Sequence, residues 1–292
     1  AMHEQVRYFG NVEVGRDIQL AELRKIYDAV VLCVGSPVDR PLDIPGADKA
    51  GVIGAAAFVF WYNGHTDFRD LNPDLNISAA AVIGVGNVAM DISRLLSLSV
   101  GELASTDLPD YAEQAIRHSP LSDVHMFGRR GPTDAKFTNV ELRELGVMAE
   151  CVPQVRSKQL PNGVEGDYAD RDRRLRERNL ETLHGYSERS AEEKPKRIHF
   201  EFFASPDEIL GEDRVEGIRM ERTRVLNGRA VGTGDFFDIS CGLVISAIGY
   251  RGAPIAGAPF DDKRAIIPNE DGRVETGLYV AGWIKRGPSG VI

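Results

Sequence analysis

Short apolar runs and longer amphipathic stretches take turns along this chain, which is the pattern of strands alternating with helices. Val6 to Val14 alternates with period two, as a half-buried strand does, and a polar, helix-like stretch comes after it. Ala29-Val30-Val31-Leu32-Cys33-Val34 is β-branched and apolar on both faces and closes on Gly35, which suits a strand buried inside a sheet. Pro37, Pro41 and Pro45-Gly46 break the next stretch, so a hinge is expected between about Pro37 and Gly54. Ala55 to Tyr62 reads as a helix and His65 to Asn76 as a polar loop. Ala79-Ala80-Ala81-Val82-Ile83 is a second buried strand, ending at Gly84. Val88, Ile92, Leu95 and Leu96 then fall on one helical face. Gly101 to Ser122 reads as an inserted loop and helix, and Asp123 to Phe127 as a third short strand.

Beyond Glu150 the pattern becomes β-rich. Arg197 to Ala204, Val215 to Leu226 and Ala230 to Ile239 alternate as strands. Asn227-Gly228 predicts a tight hairpin between the last two, because both central residues of a type I′ turn need positive φ. Leu243 to Ile248 and Leu278 to Ala281 are further buried strands, separated by a Pro/Gly-rich loop over Gly252 to Arg273. The runs ending at Gly35 and Gly249 echo one another as apolar strands closing on glycine. That echo suggests two nucleotide-type domains.

Composition narrows the class without naming a function. At 292 residues, with 42% apolar and 27% charged positions, the chain has room for about two domains with ordinary cores. A net charge of −9 argues against nucleic acid as a partner. No apolar run reaches the ~18 residues a membrane-spanning helix needs, and no signal peptide is visible. Cys33, Cys151 and Cys241 have neither metal-ligand nor C-x-x-C spacing. They read as buried or inert thiols of a reducing, cytoplasmic setting, and no metal site is expected.

The chemistry gathers after the second strand. Gly84-Val85-Gly86-Asn87-Val88-Ala89 is a G-x-G-x-x-A sequence between a strand and a helix. Gly84 allows the tight turn, Gly86 lets a pyrophosphate approach the backbone, and Ala89 keeps the helix close to the strand. The helix N-terminus then presents free N–H groups to the phosphates. A Gly-rich turn of some other α/β protein is the alternative. The third strand ends in Gly128-Arg129-Arg130-Gly131-Pro132, where an NAD site would carry an acidic residue. Two guanidinium groups there suit a 2′-phosphate, so NADPH is the expected dinucleotide. The alternative is a solvated arginine pair, and the spacing from the fingerprint exceeds the usual ~20 residues.

With these residues in view, the sequence resembles the adrenodoxin reductase-like ferredoxin–NADP reductases, flavoproteins with two dinucleotide-binding domains. The likeness rests on Tyr27 to Leu32, Phe60-Trp61-Tyr62-Asn63-Gly64, Gly84 to Asp91, Gly128 to Pro132 with Phe137-Thr138, Glu141 to Leu145, and the ending Trp283-Ile284-Lys285-Arg286-Gly287-Pro288-Ser289-Gly290-Val291-Ile292. It implies that Asn87 and Val88 cradle the NADP pyrophosphate, and that Arg129, Arg130 and Glu141 contact the adenosine 2′-phosphate and ribose. It places Gly35, Gly282, Trp283, Gly290, Val291 and Ile292 beside FAD and the nicotinamide. Glu144, one turn after Glu141, is either a catalytic neighbour of the nicotinamide or a solvated helix residue. The same resemblance implies that arginines within Asp170 to Arg178, Arg173 and Arg174 among them, dock an acidic ferredoxin. Internal pairs such as Arg173–Glu177 on a solvated helix are the other reading.

The expected architecture is therefore α/β: a Rossmann-like NADP-binding domain, residues 57–248, inserted in a partial FAD-binding domain of the glutathione-reductase type, residues 1–56 and 249–292. The expected activity is hydride transfer from NADPH to FAD and single-electron transfer to a ferredoxin. An NADPH-binding flavin subunit of a larger complex and an inactive NADP-binding module are the rivals. No FAD-binding βαβ unit with its own fingerprint precedes Val6, so a fragment of a longer reductase is expected. By itself this chain should bind NADPH and purify colourless. Stoichiometric flavin in its visible spectrum would refute that expectation.

Overall fold

The computed structural model describes residues 5–288, so Gly290, Val291 and Ile292 lie outside the described residues. Two units emerge, Ala1–Arg40 with Gly249–Ile292, and Pro41–Ile248. The first unit opens with α1 (Leu20–Ile26), β1 (Val30–Leu32) and β2 (Val38–Asp39). The central unit runs β3 (Val52–Gly54), α2 (Ala55–Tyr62), β4 (Ala79–Ile83), α3 (Asn87–Ser97), α4 (Val100–Leu103), α5 (Asp110–Arg117), β5 (Asp123–Gly128) and α6 (Asn139–Val147). It continues through β6 (Cys151–Val155), α7 (Asp170–Ser187), β7 (Lys196–Phe202), β8 (Ala204–Leu210), β9 (Gly217–Leu226), β10 (Arg229–Ser240) and β11 (Leu243–Ser246). The chain returns to the first unit with β12 (Tyr250–Arg251), β13 (Arg273–Glu275), β14 (Leu278–Val280) and α8 (Trp283–Arg286).

The central unit is built on a six-stranded parallel sheet in the order β3-β11-β4-β5-β7-β6. β4 is buried at all five positions, as its uninterrupted apolar run requires. On one face Val82, Val124, Met126, Ile198 and Phe200 are all 1% exposed or less. α3, α6 and α7 pack on the sheet with their own buried stripes, including Ile92, Leu96, Leu142, Leu145, Leu180 and Leu183. Truncating a core ring such as Phe200 to alanine costs about 3–5 kcal/mol in sites of this kind. On the other face Ala79, Ala81, Ile83 and Phe127 join Ile209, Val215, Ile218 and Met220 of the antiparallel sheet β10-β9-β8 and its connections in one cluster. In the first unit β1 pairs parallel with β14, and Leu20, Leu32, Leu278, Val280 and Ile284 form its core.

Several sequence expectations change here. Val6 to Val14 forms no strand: Val6, Tyr8 and Val12 are 58%, 79% and 50% exposed, and alternation without a neighbouring strand to pair with holds nothing. The inserted loop and helix is two short helices, α4 and α5. β6 and β8 escape the periodicity because each contains a proline, Pro153 and Pro206. Both are edge strands, where a missing N–H is tolerated, and β8 has a register shift directly after Pro206. Cys151 and Cys241 are buried, but Cys33 is exposed. The hairpin is as expected, with Asn227 and Gly228 at φ 50° and 73°.

One patch of the central sheet is polar. His125 on β5 stacks on His199 of β7, ring centroids 4.5 Å apart. Asp123 accepts hydrogen bonds from Arg197 at 2.7 and 2.9 Å and sits 2.7 Å from His199 Nε2. Arg197 holds the Asp123 carboxyl well below the usual carboxylate range. Burial, with His199 beside it, pushes the His125 imidazole down from 6.5 to about 4, and its Nδ1 has no hydrogen-bond partner among the described residues. Between those pH values the unfolded chain binds the proton that the folded chain refuses, so stability falls as pH drops from about 6.5 towards 4. His125→Asn should flatten that slope by up to about 3 kcal/mol in denaturant titrations across the window. An unchanged slope would assign the acid sensitivity elsewhere.

Candidate dinucleotide-binding site

The site is assembled at the carboxyl end of β4. Gly84 donates its N–H to the Phe127 carbonyl at 2.9 Å, while Ala247, just past β11, donates to the Ile83 carbonyl at 2.8 Å. Gly84 has φ 137°, and a Cβ there would run into the Ala247 carbonyl, so the turn admits glycine alone. β4 therefore has β11 on one side and β5 on the other. The turn after β4 opens at the carboxyl edge of the parallel sheet, the edge at which open α/β sheets bind ligands.

α3 starts immediately, with Gly86 as its N-cap and no side-chain hydrogen bond on that cap. No acidic residue stands in its first turn, so nothing there offsets the positive end of the helix dipole. A Cβ built on Gly86 would meet no protein atom within 4 Å, whereas Ala89 is fully buried against the sheet. The backbone at Gly86 and Asn87 is thus approachable by a pyrophosphate, and the residues present fit one.

Beside it stands the arginine loop. β4 and β5 pair in register, Ile83 opposite Phe127, which puts Gly128 next to Gly84 about 4.8 Å away. A Cβ on Gly128 would come within 3.1 Å of the Val85 side chain, so Gly128 makes room for the fingerprint. The loop is fastened there twice more. Lys136 donates its N–H to the Val85 carbonyl at 2.9 Å, and Thr138 donates its N–H to Asn87 Oδ1 at 2.8 Å. Arg129 is exposed, and Arg130 has Asp134 at 3.3 Å. Lys136, exposed in the same loop, is a third cation that the sequence did not single out.

A second cluster lies one turn along α3 and α6. Arg94 pairs with Glu144 and, at 3.2 Å, with Asp91. Burial raises the Asp91 carboxyl, opposed by Arg94, and burial with Asp91 and Glu144 nearby raises Glu141. The Tyr62 phenol is pushed up to about 12 by burial and then by Asp91. Tyr62, Asp91, Arg94 and Glu102 help line a cavity of about 510 Å³. Glu144 is thus ion-paired rather than simply solvated. Asp91 and Arg94 were legible only as the i, i+3 pair that comes after the fingerprint on its own helix.

In the first unit, Ala281 donates its N–H to the Leu32 carbonyl at 3.0 Å, bringing the carboxyl ends of β1 and β14 together. Gly35 and Gly282 come after those strands with φ 69° and 70°, and a Cβ on Gly35 would meet nothing within 4 Å. Trp283 stacks on Tyr250, centroids 6.1 Å apart. These two glycine exits fit a second dinucleotide.

On α7 the arginines divide. Arg173 donates to the carbonyls of Val164 and Gly166 at 3.0 and 2.6 Å, and Arg176 lies 4.1 Å from the Tyr168 ring centre. Arg171, Arg174 and Arg178 are exposed at i, i+3, i+7, hence along one stripe.

No protein-family model matches the chain. It is 40% identical over 317 residues to the mitochondrial NADPH:adrenodoxin oxidoreductase of Arabidopsis thaliana, covering all of this chain and 66% of that protein. It is 43% identical to the NADPH-ferredoxin reductase FprA of Mycobacterium leprae, over 98% of this chain and 64% of the relative. Among solved structures, Mycobacterium tuberculosis FprA in complex with NADPH superposes with a TM-score of 0.91 at 41% identity, over 96% of this chain and 63% of that one. The chain thus spans just under two thirds of the length of the curated relatives it matches. With that fold, fingerprint and arginine loop, the chain is a homologue, along essentially its whole length, of the NADPH:adrenodoxin oxidoreductases and NADPH-ferredoxin reductases.

Proposed function

We propose that this chain is the NADPH-binding part of a flavin-dependent reductase that delivers electrons to a ferredoxin-type iron–sulfur protein. The observation that carries the reading is the Arg129–Arg130 pair next to an uncapped helix N-terminus, on neighbouring parallel strands. The α3 N-terminus and the open backbone at Gly86 and Asn87 receive the pyrophosphate. Arg129 and Arg130 grip the 2′-phosphate through charge-assisted hydrogen bonds. Glu141 suits the ribose hydroxyls, since a carboxylate accepts from a hydroxyl but repels a phosphate. Arg94 pairs with both Glu144 and Asp91, which offsets part of the negative charge gathered there. Gly35, Gly282 and Trp283 belong to the flavin side, where glycine exits from two parallel strands let a cofactor approach the backbone.

When bound, NADPH supplies a hydride and FAD converts that two-electron donation into single electrons. The protein's share is orientation and electrostatics. The exposed Arg171, Arg174 and Arg178 stripe suits an acidic electron acceptor, because complementary charge speeds and orients encounter. The name NADPH-ferredoxin reductase carried by the relatives supports this choice of partner. The cytoplasmic setting read from the sequence suits a chain that must meet NADPH, and no described helix is long and apolar enough to cross a membrane.

Arg129→Ala should weaken NADPH binding by roughly 10–100-fold, the value of a hydrogen bond to a charged group, and leave NADH binding within a factor of about two. Calorimetry with both dinucleotides checks this, and equal losses would remove the 2′-phosphate assignment. In the full-length reductase, Arg174→Glu with Arg178→Glu should slow ferredoxin reduction, most at low salt, and spare NADPH-to-dye electron transfer. Equal loss in both assays would make the stripe a folding feature instead.

A further inference from the structure

The carbonyls of Arg129 and Arg130 are both held, one by a residue of β9 and one by the residue that joins β7 to β8. Thr223, on β9 and only 9% exposed, donates its hydroxyl to the Arg129 carbonyl at 2.7 Å. Phe203 donates its N–H to the Arg130 carbonyl at 3.3 Å. The two holders are joined, because Thr223 donates its N–H to the Phe203 carbonyl at 2.9 Å. Phe203 is the single residue between β7 and β8, and it has φ 55°. A bulky side chain rarely adopts that left-handed conformation, which here swings the chain from one sheet into the other. The same turn brings the Phe203 ring under the arginine loop: a Cβ on Gly131 would lie 2.7 Å from a ring carbon. Backbone bond, hydroxyl bond and ring contact therefore converge on three consecutive residues, 129–131.

We propose that Thr223 and Phe203 are positioning residues that set the preference for the phosphorylated dinucleotide, resting on the assignment of Arg129 and Arg130 to the 2′-phosphate. The physical reason is preorganisation. A guanidinium on a long, exposed side chain grips a phosphate well only if its backbone is already fixed, since ordering the loop on binding subtracts from affinity. The pyrophosphate cradle at Gly84 to Ala89 has anchors of its own: Gly84 donates to the Phe127 carbonyl, and Ala247 donates to the Ile83 carbonyl just before it. The loop's ties to Val85 and Asn87 come from Lys136 and Thr138, beyond the three residues that Thr223 and Phe203 hold. Loosening the support thus acts chiefly on the adenosine 2′-phosphate. A pair that merely closes the corner between two sheets would instead affect every dinucleotide equally.

The test measures dissociation constants of the full-length reductase for 2′,5′-ADP and for 5′-AMP, two probes that differ only in the 2′-phosphate. Thr223→Val should weaken 2′,5′-ADP by about tenfold, the upper end for one neutral hydrogen bond, and leave 5′-AMP within about twofold. Thr223→Ser, which keeps the hydroxyl, should restore the parent value. Phe203→Asn, which tolerates the left-handed backbone but lacks the ring, should show the same selective loss and provides the measurement if the valine variant does not fold. Equal losses on both probes, or no loss on either, overturn the proposal. Arg129→Ala in the same series separates the two ideas. Selective loss there without any in the Thr223 and Phe203 variants removes only the positioning role. No selective loss in Arg129→Ala removes the 2′-phosphate assignment and the positioning role together.

Discussion

The parallel pairing of β4 with β5 is the constraint on which the site depends. Parallel strands point their carboxyl ends the same way, so the turn after β4 and the loop after β5 open on one edge of the sheet. The register of Ile83 opposite Phe127 then sets Gly84 beside Gly128, and the Val85 side chain fills the space that a Cβ on Gly128 would take. A slip of one residue would turn Phe127 out of its cluster and direct His125 and Asp123 towards the helices. Fingerprint and arginine loop would lose their common edge in the same step.

That edge reverses the sign of the molecule. The chain carries a net charge of −9, yet the α3 N-terminus, Arg129, Arg130 and Lys136 meet at one place with no acidic residue in the first turn of α3. The carboxylates of Asp91, Glu141 and Glu144 lie one turn further along, grouped around Arg94. Burial and mutual repulsion raise Asp91 and Glu141, and Arg94 opposes that rise. The arginines of α7 divide: Arg173 closes the turn that precedes the helix, and Arg171, Arg174 and Arg178 face solvent.

Much of this is readable in the sequence, for local reasons. The apolar runs over 79–83 and 123–127 mark the strands because a strand buried on both faces has no polar positions to hide. The fingerprint is legible because each of its small residues answers a backbone demand. Gly84 needs its positive φ, Gly86 its open backbone, and Ala89 its contact with the sheet. Arg129 and Arg130 are legible as charges where an acidic residue would otherwise stand. The strand signal fails at Val6 to Val14, where among the described residues only an isolated bridge of Val14 with Ile18 forms, and misses β6 and β8, whose prolines are acceptable only at a sheet edge. Alternation reports side-chain direction and says nothing about what lies alongside.

By itself, then, the sequence determined the α/β class, the dinucleotide turn and the cationic end of the strand beside it, because each is written in residues close together in the chain. Tertiary structure alone decided that β11 inserts between β3 and β4, so that Ala247 closes the Gly84 turn. It also decided that Arg94 joins Glu144 across 50 positions, and that Thr223 reaches the Arg129 carbonyl across 94. The reason is physical: those partners meet through sheet order and register, which depend on how whole elements bury their apolar faces together and leave no local trace at the residues that finally touch.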